Sequence, residues 1–440
     1  MKKFAAFLVL FFIFNSCASS EPPANLDDLL KEKAIAFHKA DDLDGLIHEA
    51  SSTKLVLLGE ASHGTHEYYA WRDSISRRLI SEHNFNFIVV EGDFASLYAL
   101  NKYVKNLPGA ASSAKEVLLN LDRWPQWMWG NYAVLALAEW LRTYNEQLPE
   151  DERVGFYGMD VYDEWRSKEA LLEFLFTAHP NLFEEAKKHY ECFAPFDSDS
   201  WLYARYAGAG HVNCSQNTED VLNMLYENKH MMRGMSDEDF FYALQNAYVF
   251  RNAEKFYRKS AMGLSSASWN ARAIHMFETT KRLLKLYGAK SKGIVWAHNT
   301  HIGDASYTDM QRANQVNIGQ LARDYFGNNE VFLVGFTTYK GYVKAGENWG
   351  SDRSKMKIPK AVNNSLEERL NRTGLASFYL IFDETDRKHN EFSQQLGNRA
   401  VGVVYNPQFD ARQFVPTIVP KRYDALLFFR NTKALKPLQK

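Results

Sequence analysis

The stretch Leu57-Leu58-Gly59-Glu60-Ala61-Ser62-His63-Gly64-Thr65-His66-Glu67 decides how this chain is read. It starts with an apolar run of strand character and ends in acid and imidazole. A second stretch, Val295-Trp296-Ala297-His298-Asn299-Thr300-His301-Ile302-Gly303-Asp304, repeats the layout. Buried strands that end in polar residues point to an α/β enzyme, where chemistry sits just past the carboxyl ends of the strands.

Outward from the first stretch, the periodicity predicts a helix over 28–38, a strand over 54–58 and a helix over 67–83. A strand over 87–90 ends in Glu91-Gly92-Asp93, and helices follow over 96–104 and 131–147. A third strand, 154–157, ends in Gly158-Met159-Asp160. Strand, helix, strand, helix, strand implies parallel pairing and an open sheet covered on both faces. The reading from 165 to about 290 is almost wholly helical, with long amphipathic stretches over 218–232, 237–258 and 268–286, as expected of a helical insertion. Residues 294–297 return to strand. Further strands are predicted at 331–337, 377–382, 400–404 and 425–429, and the basic stretch 352–364 reads as a loop. The expected architecture is an open, mostly parallel α/β sheet covered by helices. A helical insertion (165–290) divides its core (28–164 and 291–440), and a smaller α+β portion lies at the C-terminal end.

With 440 residues, 46% of them hydrophobic, the chain can bury large cores. Lysine plus arginine, 52, nearly equals aspartate plus glutamate, 53, which argues against a nucleic-acid or general polyanion binder. Lys2 and Lys3 precede an apolar run from Phe4 to Phe14, followed by Asn15-Ser16-Cys17. The run is shorter than the roughly 20 residues that span a bilayer and fits a signal peptide over 1–16. A cysteine after a small residue there resembles a bacterial lipoprotein signal. The expectation is an exported protein held to the membrane by lipid on Cys17, at the periplasmic or cell-surface face, with 17–27 as its tether; plain secretion is the alternative. Cys192 and Cys214 are left, free or paired with each other.

The strand ends supply Glu60 and His63, Glu91, Asp160, and His298 and His301, which in one sheet would converge on a single cleft. Arg72 shares a helical face with Tyr68, Ile75 and Leu79, so it is expected inside with a carboxylate partner, Glu60 or Glu91. Imidazole beside carboxylate is what general-base hydrolysis requires. No Gly-x-Ser-x-Gly elbow occurs, so direct attack by water is the simpler chemistry. The rival is a metal held by Glu60, His63, His66, His298 and His301, although neither stretch matches a zinc signature such as His-Glu-x-x-His. Trp124, Trp127 and Asn131, in the segment Asp122 to Asn131, are candidates for lining an apolar substrate pocket beside Asp160.

These residues resemble the erythromycin esterase family. The resemblance rests on Gly59-Glu60-x-x-His63-Gly64 with Arg72, on Val89-Val90-Glu91, on Arg123-Trp124-Pro125 to Asn131, on Gly158-Met159-Asp160 and on Trp296-Ala297-His298-x-x-His301. It covers residues 40 to 430 approximately. It implies an α/β core with a helical insertion, and metal-independent hydrolysis of a macrolactone ester without a cofactor. His63 is implied as the base for water, with Glu60, Glu91, Arg72, His298 and His301 completing the site. The expected activity is that of a carboxylic ester hydrolase on a small-molecule ester. The alternatives are a metal-dependent hydrolase on the same scaffold and a surface protein that binds haem or metal.

Overall fold

The computed structural model describes residues 25–196, 198–232 and 235–439; the signal-like segment, Cys17 and the tether as far as residue 24 lie outside them. The strands are β1 (Ile35–Ala36), β2 (Leu55–Leu58), β3 (Phe87–Asp93), β4 (Gly155–Asp160), β5 (Gly293–Trp296), β6 (Val331–Gly346), β7 (Arg353–Ile358), β8 (Ser377–Ile381), β9 (Leu396–Arg399), β10 (Phe414–Thr417) and β11 (Ala425–Thr432). Nine form one sheet in the order β1-β8-β11-β6-β2-β5-β3-β4, with β7 paired to the outer part of β6. From β11 to β4 all neighbours are parallel. Antiparallel β8 and β1 finish one edge. β9 and β10 form a separate antiparallel pair.

The central strand β2 is Leu-Val-Leu-Leu, buried at every position, as a parallel strand covered on both faces must be. From β2 the chain moves to β3 and β4 on one side. It returns with β5 between β2 and β3, then crosses to β6 on the other side of β2. Such a reversal opens a crevice beyond the carboxyl ends of the strands. One apolar layer packs the His66–His83, Phe94–Lys105 and Tyr132–Asn145 helices on one sheet face. The other face carries the Leu26–Lys33, Ile318–Phe326 and Leu366–Asn371 helices and the inner side of Ser265–Leu286.

Helices Glu164–Ala178, Pro180–Tyr190, Ser200–Gly208 and Ser215–Glu227 close a third core with part of Asp237–Ala261. Cys192 and Cys214 form a disulfide there, so the pairing that spacing left open is made. The Ser265–Leu286 helix belongs to both worlds: it packs against Asp237–Ala261 and also lies on the sheet through Met276, Phe277, Leu283 and Leu284.

Three local expectations change. The helix expected over 28–38 ends at Lys33, and Ile35–Ala36 pairs with Phe378 and Tyr379 as the edge strand β1. Residues 400–404 are not a strand; Ala400, Gly402 and Val403 form cleft wall instead, and the strand lies just before them at Leu396–Arg399. The basic stretch 352–364 contains β7, because Met356 and Ile358 alternate with lysines and turn inward onto Val343, Ala345, Val401 and Tyr405.

Candidate active site

The site starts where β2 ends. Gly64 packs against the backbone of Lys344, where any side chain would collide, and this close approach folds the Glu60–His63 turn tightly over the strand end. Glu60 is buried. Its Oε1 accepts from Nδ1 of His63 at 2.9 Å and its Oε2 from Arg72 at 2.9 Å. A carboxylate on Nδ1 fixes the tautomer and leaves Nε2 as the basic nitrogen. Burial opposes the charged ring, but the hydrogen bond and charge of Glu60, with the charge of Glu91, outweigh it and hold His63 above its usual pKa.

Arg72 stands behind this pair, not in the cleft. It is fully buried, with its guanidinium 4.4 Å from the Tyr69 ring centre and 4.8 Å from that of Trp296. Clamped between two aromatic faces, it meets the reacting region only through Glu60, so its place is to anchor that carboxylate rather than to touch an oxyanion.

A second charge cluster faces the first. β3 slips register against β4 between Val90 and Asp93, and both Glu91 and Asp93 line the cleft. The irregular backbone is admitted by Gly158, whose missing Cβ would meet Gly92 and Asp93. Glu91 accepts the His298 backbone N–H at 2.9 Å and the Arg272 guanidinium at 2.8 Å, and lies 3.1 Å from Nε2 of His301. Arg272 also grips Asp160 through Nε at 2.8 Å and through a terminal nitrogen at 2.6 Å. Burial alone would raise the Glu91 pKa; His301 and then Arg272 reverse this and hold it well below the usual carboxylate range.

His298 is poised differently. The Thr300 backbone N–H points at its Nδ1 from 3.3 Å, which makes Nδ1 an acceptor and puts the ring proton on Nε2. Nε2 is buried and has no partner among the described residues. Its ring lies 4.9 Å from that of His63, centre to centre. Burial, then the neighbouring His63, push its pKa well down, so it stays neutral.

The cleft, about 430 Å³, is lined by His63, Glu91, Asp160, His298 and His301 together with Leu97, Met128, Trp129, Trp269 and Trp349. The structure therefore brings these expected residues around one space, with Glu60 and Arg72 one step behind. Other expected residues sit elsewhere. Trp127 is 1% exposed and packs in the core beneath the loop. Asn131 caps the Tyr132–Asn145 helix, accepting from the N–H groups of Ala133 and Val134. Trp124 stands at the rim, its ring centre 4.6 Å from that of Trp349. His66 opens the His66–His83 helix and is absent from the cleft wall.

Sequence reasoning missed Arg272 and Trp269, the latter stacked on His301 at 4.8 Å. The available signal was the polar stripe Ser268, Arg272, His275 and Thr279, spaced three or four apart on one helix face. It also gave no role to Arg123, quoted only within the resemblance, which holds Asp93 on the cleft wall through Nε and one terminal nitrogen, one bidentate edge. Against that pairing, burial and the nearby Asp163 and Asp160 still raise the Asp93 pKa to about 6. Among the described residues, no group of three or more histidine, cysteine, aspartate or glutamate side chains is disposed to hold a metal ion. The central carboxylates already face arginines.

Among solved structures, a Bacillus cereus protein matches at TM-score 0.77 and 20% identity, covering 94% of this chain and 98% of its own. A succinoglycan biosynthesis protein matches at TM-score 0.74 and 17% identity, over 92% and 96%. A histidine-to-asparagine variant of the erythromycin esterase EreC, in its open conformation, matches at TM-score 0.63 and 15% identity, over 91% and 96%. At these identities the likeness is one of fold. The erythromycin esterase family model matches residues 80–432, and the chain belongs to that family.

Proposed function

We propose that the protein is an exported ester hydrolase in which His63 activates water. The observation that carries this reading is the His63 ring, held at Nδ1 by Glu60 and facing the cleft with no hydrogen bond engaging Nε2 among the described residues. Nε2 takes a proton from water as the oxygen attacks the acyl carbon. The Nε2–H of His298, a neutral donor, meets the oxyanion of the tetrahedral intermediate. The protonated His63 then gives its proton to the leaving alkoxide, and acid and alcohol depart. Glu91, Asp160 and Arg272 hold the far wall. The four tryptophans at the wall and rim, Trp129, Trp269, Trp349 and Trp124, favour an ester with apolar rings, macrolactones among them.

The test is a panel of esters, macrolactones included, offered to the soluble domain before and after dialysis against a strong chelator. Hydrolysis of at least one ester at an unchanged rate is expected. A rate lost with stoichiometric zinc, manganese or iron would favour the metal-dependent alternative.

The pH profile follows from the His63 environment. The base must be neutral, so kcat/KM falls as pH drops through its pKa, and this acid limb is expected above 6.5, the ordinary value. In Glu60→Gln the raising charge is gone while burial remains, so the limb should move to lower pH as the maximal rate falls. A limb that stays put would assign it to another group.

Export and anchoring belong to the same proposal. The short apolar run and Ser16-Cys17 motivate it. Cys17→Ala is expected to shift the protein from the membrane fraction to the soluble one; continued membrane association in that variant would exclude lipid at Cys17.

A further inference from the structure

The strand pair β6–β7 runs past the main sheet and carries a face that the cleft chemistry does not use. Its inner side, Val343, Ala345, Met356 and Ile358, is buried. Its outer side presents Tyr342 and Lys344 on β6, and Arg353, Lys355 and Lys357 on β7. The register sets Lys344 directly opposite Lys355, and Tyr342 opposite Lys357. Like charges opposed across an antiparallel pair are destabilising. Among the described residues none of these cations forms an ion pair, and Lys355 lies instead over the Tyr342 ring, 4.2 Å from its centre; the turn acids Glu347 and Asp352 are exposed. Burial, and then the charges of Arg353 and Lys355, depress the Lys344 pKa. Lysines that only guard a sheet edge belong on the edge strand. Here one of the opposed pair is on the inner strand, so the repulsion is built across both. The whole chain carries a net charge of only −1, so the basic row is local.

The row also has a direction. Alternate residues of a strand lie about 6.8 Å apart, so Lys357, Lys355 and Arg353 mark a line about 14 Å long. The line ends at the turn whose Ser351 carbonyl accepts the Trp124 indole N–H at 3.0 Å. Trp349, on the same turn and 65% exposed, lines the cleft. We propose that this face binds a linear polyanion and that the ester cut in the cleft is carried on such a chain, delivered over Trp349. The binding half stands alone; the delivery half rests on the esterase reading. A line of evenly spaced cations that ends at an aromatic cleft rim matches a polymer with regularly repeated carboxylates and ring units.

The experiment measures binding of de-esterified polygalacturonate, with dextran as the neutral control and phosphatidylglycerol vesicles as the membrane alternative. The wild-type chain is expected to bind polygalacturonate at low ionic strength and to release it as salt rises. Lys355→Glu should weaken this about tenfold or more. It should also raise Tm, because Lys344 then faces a carboxylate. Lys355→Gln, which adds no new charge, should weaken binding less and in the same direction. Polygalacturonate binding untouched by either change would overturn the proposal, as would binding of vesicles alone or equal binding of dextran. On partly methyl-esterified polygalacturonate, Lys355→Glu should raise KM. Binding requires no turnover, so a protein that binds polymer but hydrolyses no ester refutes the esterase reading, whereas one that hydrolyses small esters but ignores polymer refutes this proposal.

Discussion

Alanine at position 63 is expected to lower turnover about 10²-fold or more while leaving Tm nearly unchanged, since loss of a general base typically costs this much. Fold and chemistry separate well here because His63 ends the charge relay rather than bridging it. Glu60 keeps its bond to Arg72 when the imidazole goes, so no buried charge loses its arginine. What disappears is the basic Nε2 at the cleft. His66→Ala is the control: that residue opens a helix, its backbone N–H bonds to the Lys433 carbonyl, and its side chain is not part of the cleft wall. Initial rates on the best ester of the panel, with thermal melts of all three proteins, decide the matter. Equal damage from both substitutions would point to a shared ligand role and remove His63 from its place as the base.

The second large effect concerns Arg272. Methionine there keeps much of the side-chain volume but removes the charge that answers both Glu91 and Asp160. Breaking a buried pair by removing one partner costs about 3–5 kcal/mol, because it leaves an uncompensated buried charge. Arg272 faces two carboxylates. Turnover should also fall steeply, since Glu91 positions the His298 backbone and lies against His301. The pH dependence has a defined sign. In the wild type Glu91 is held below its ordinary 4.5, so its contribution is present above that value and is lost as pH falls through the depressed pKa. In Arg272→Met Glu91 loses one of the charges that hold its pKa down and gains a proton more readily, and protonation relieves its burial. The Tm gap between the two proteins is therefore expected to be widest near neutral pH and to narrow toward pH 4.5. A gap constant with pH would mean that Arg272 acts by packing, not charge.

The parts legible in the sequence share a physical property: they are local. β2 and the first half of β3 are short apolar runs buried on both faces, so composition alone marks them. Glu60 and His63 lie three apart on one turn, and Arg72 sits on an otherwise apolar helix face, which makes its burial foreseeable. Arg272 was hard to read, because an arginine on a long amphipathic helix passes for a solvated one and only the polar stripe from Ser268 to Thr279 hints otherwise. Only tertiary packing turns that face toward the carboxylates of β3 and β4. Trp127 and Asn131 illustrate the converse. A tryptophan next to a proline loop and an asparagine before a helix suit either a pocket or plain packing and capping, and the choice depends on which way the loop rolls. β7 was hidden by its lysines, whose charge masked a period-two alternation with Met356 and Ile358.

The clamp from Arg272 to Glu91 joins residues 181 positions apart, and the one to Asp160 joins residues 112 apart. Contacts that close such long loops come late, after the loop entropy has been met by other interactions. The sheet obeys the same rule. β2 and β3 meet only through β5, which follows the Ser265–Leu286 helix in the chain, so the strand ends that carry Glu60 and Glu91 come side by side only after that helix has been made. Arg272 and the strand that joins the two halves of the cleft thus arrive on one segment: in a refolding experiment, ester turnover should return together with the sheet signal, not after it.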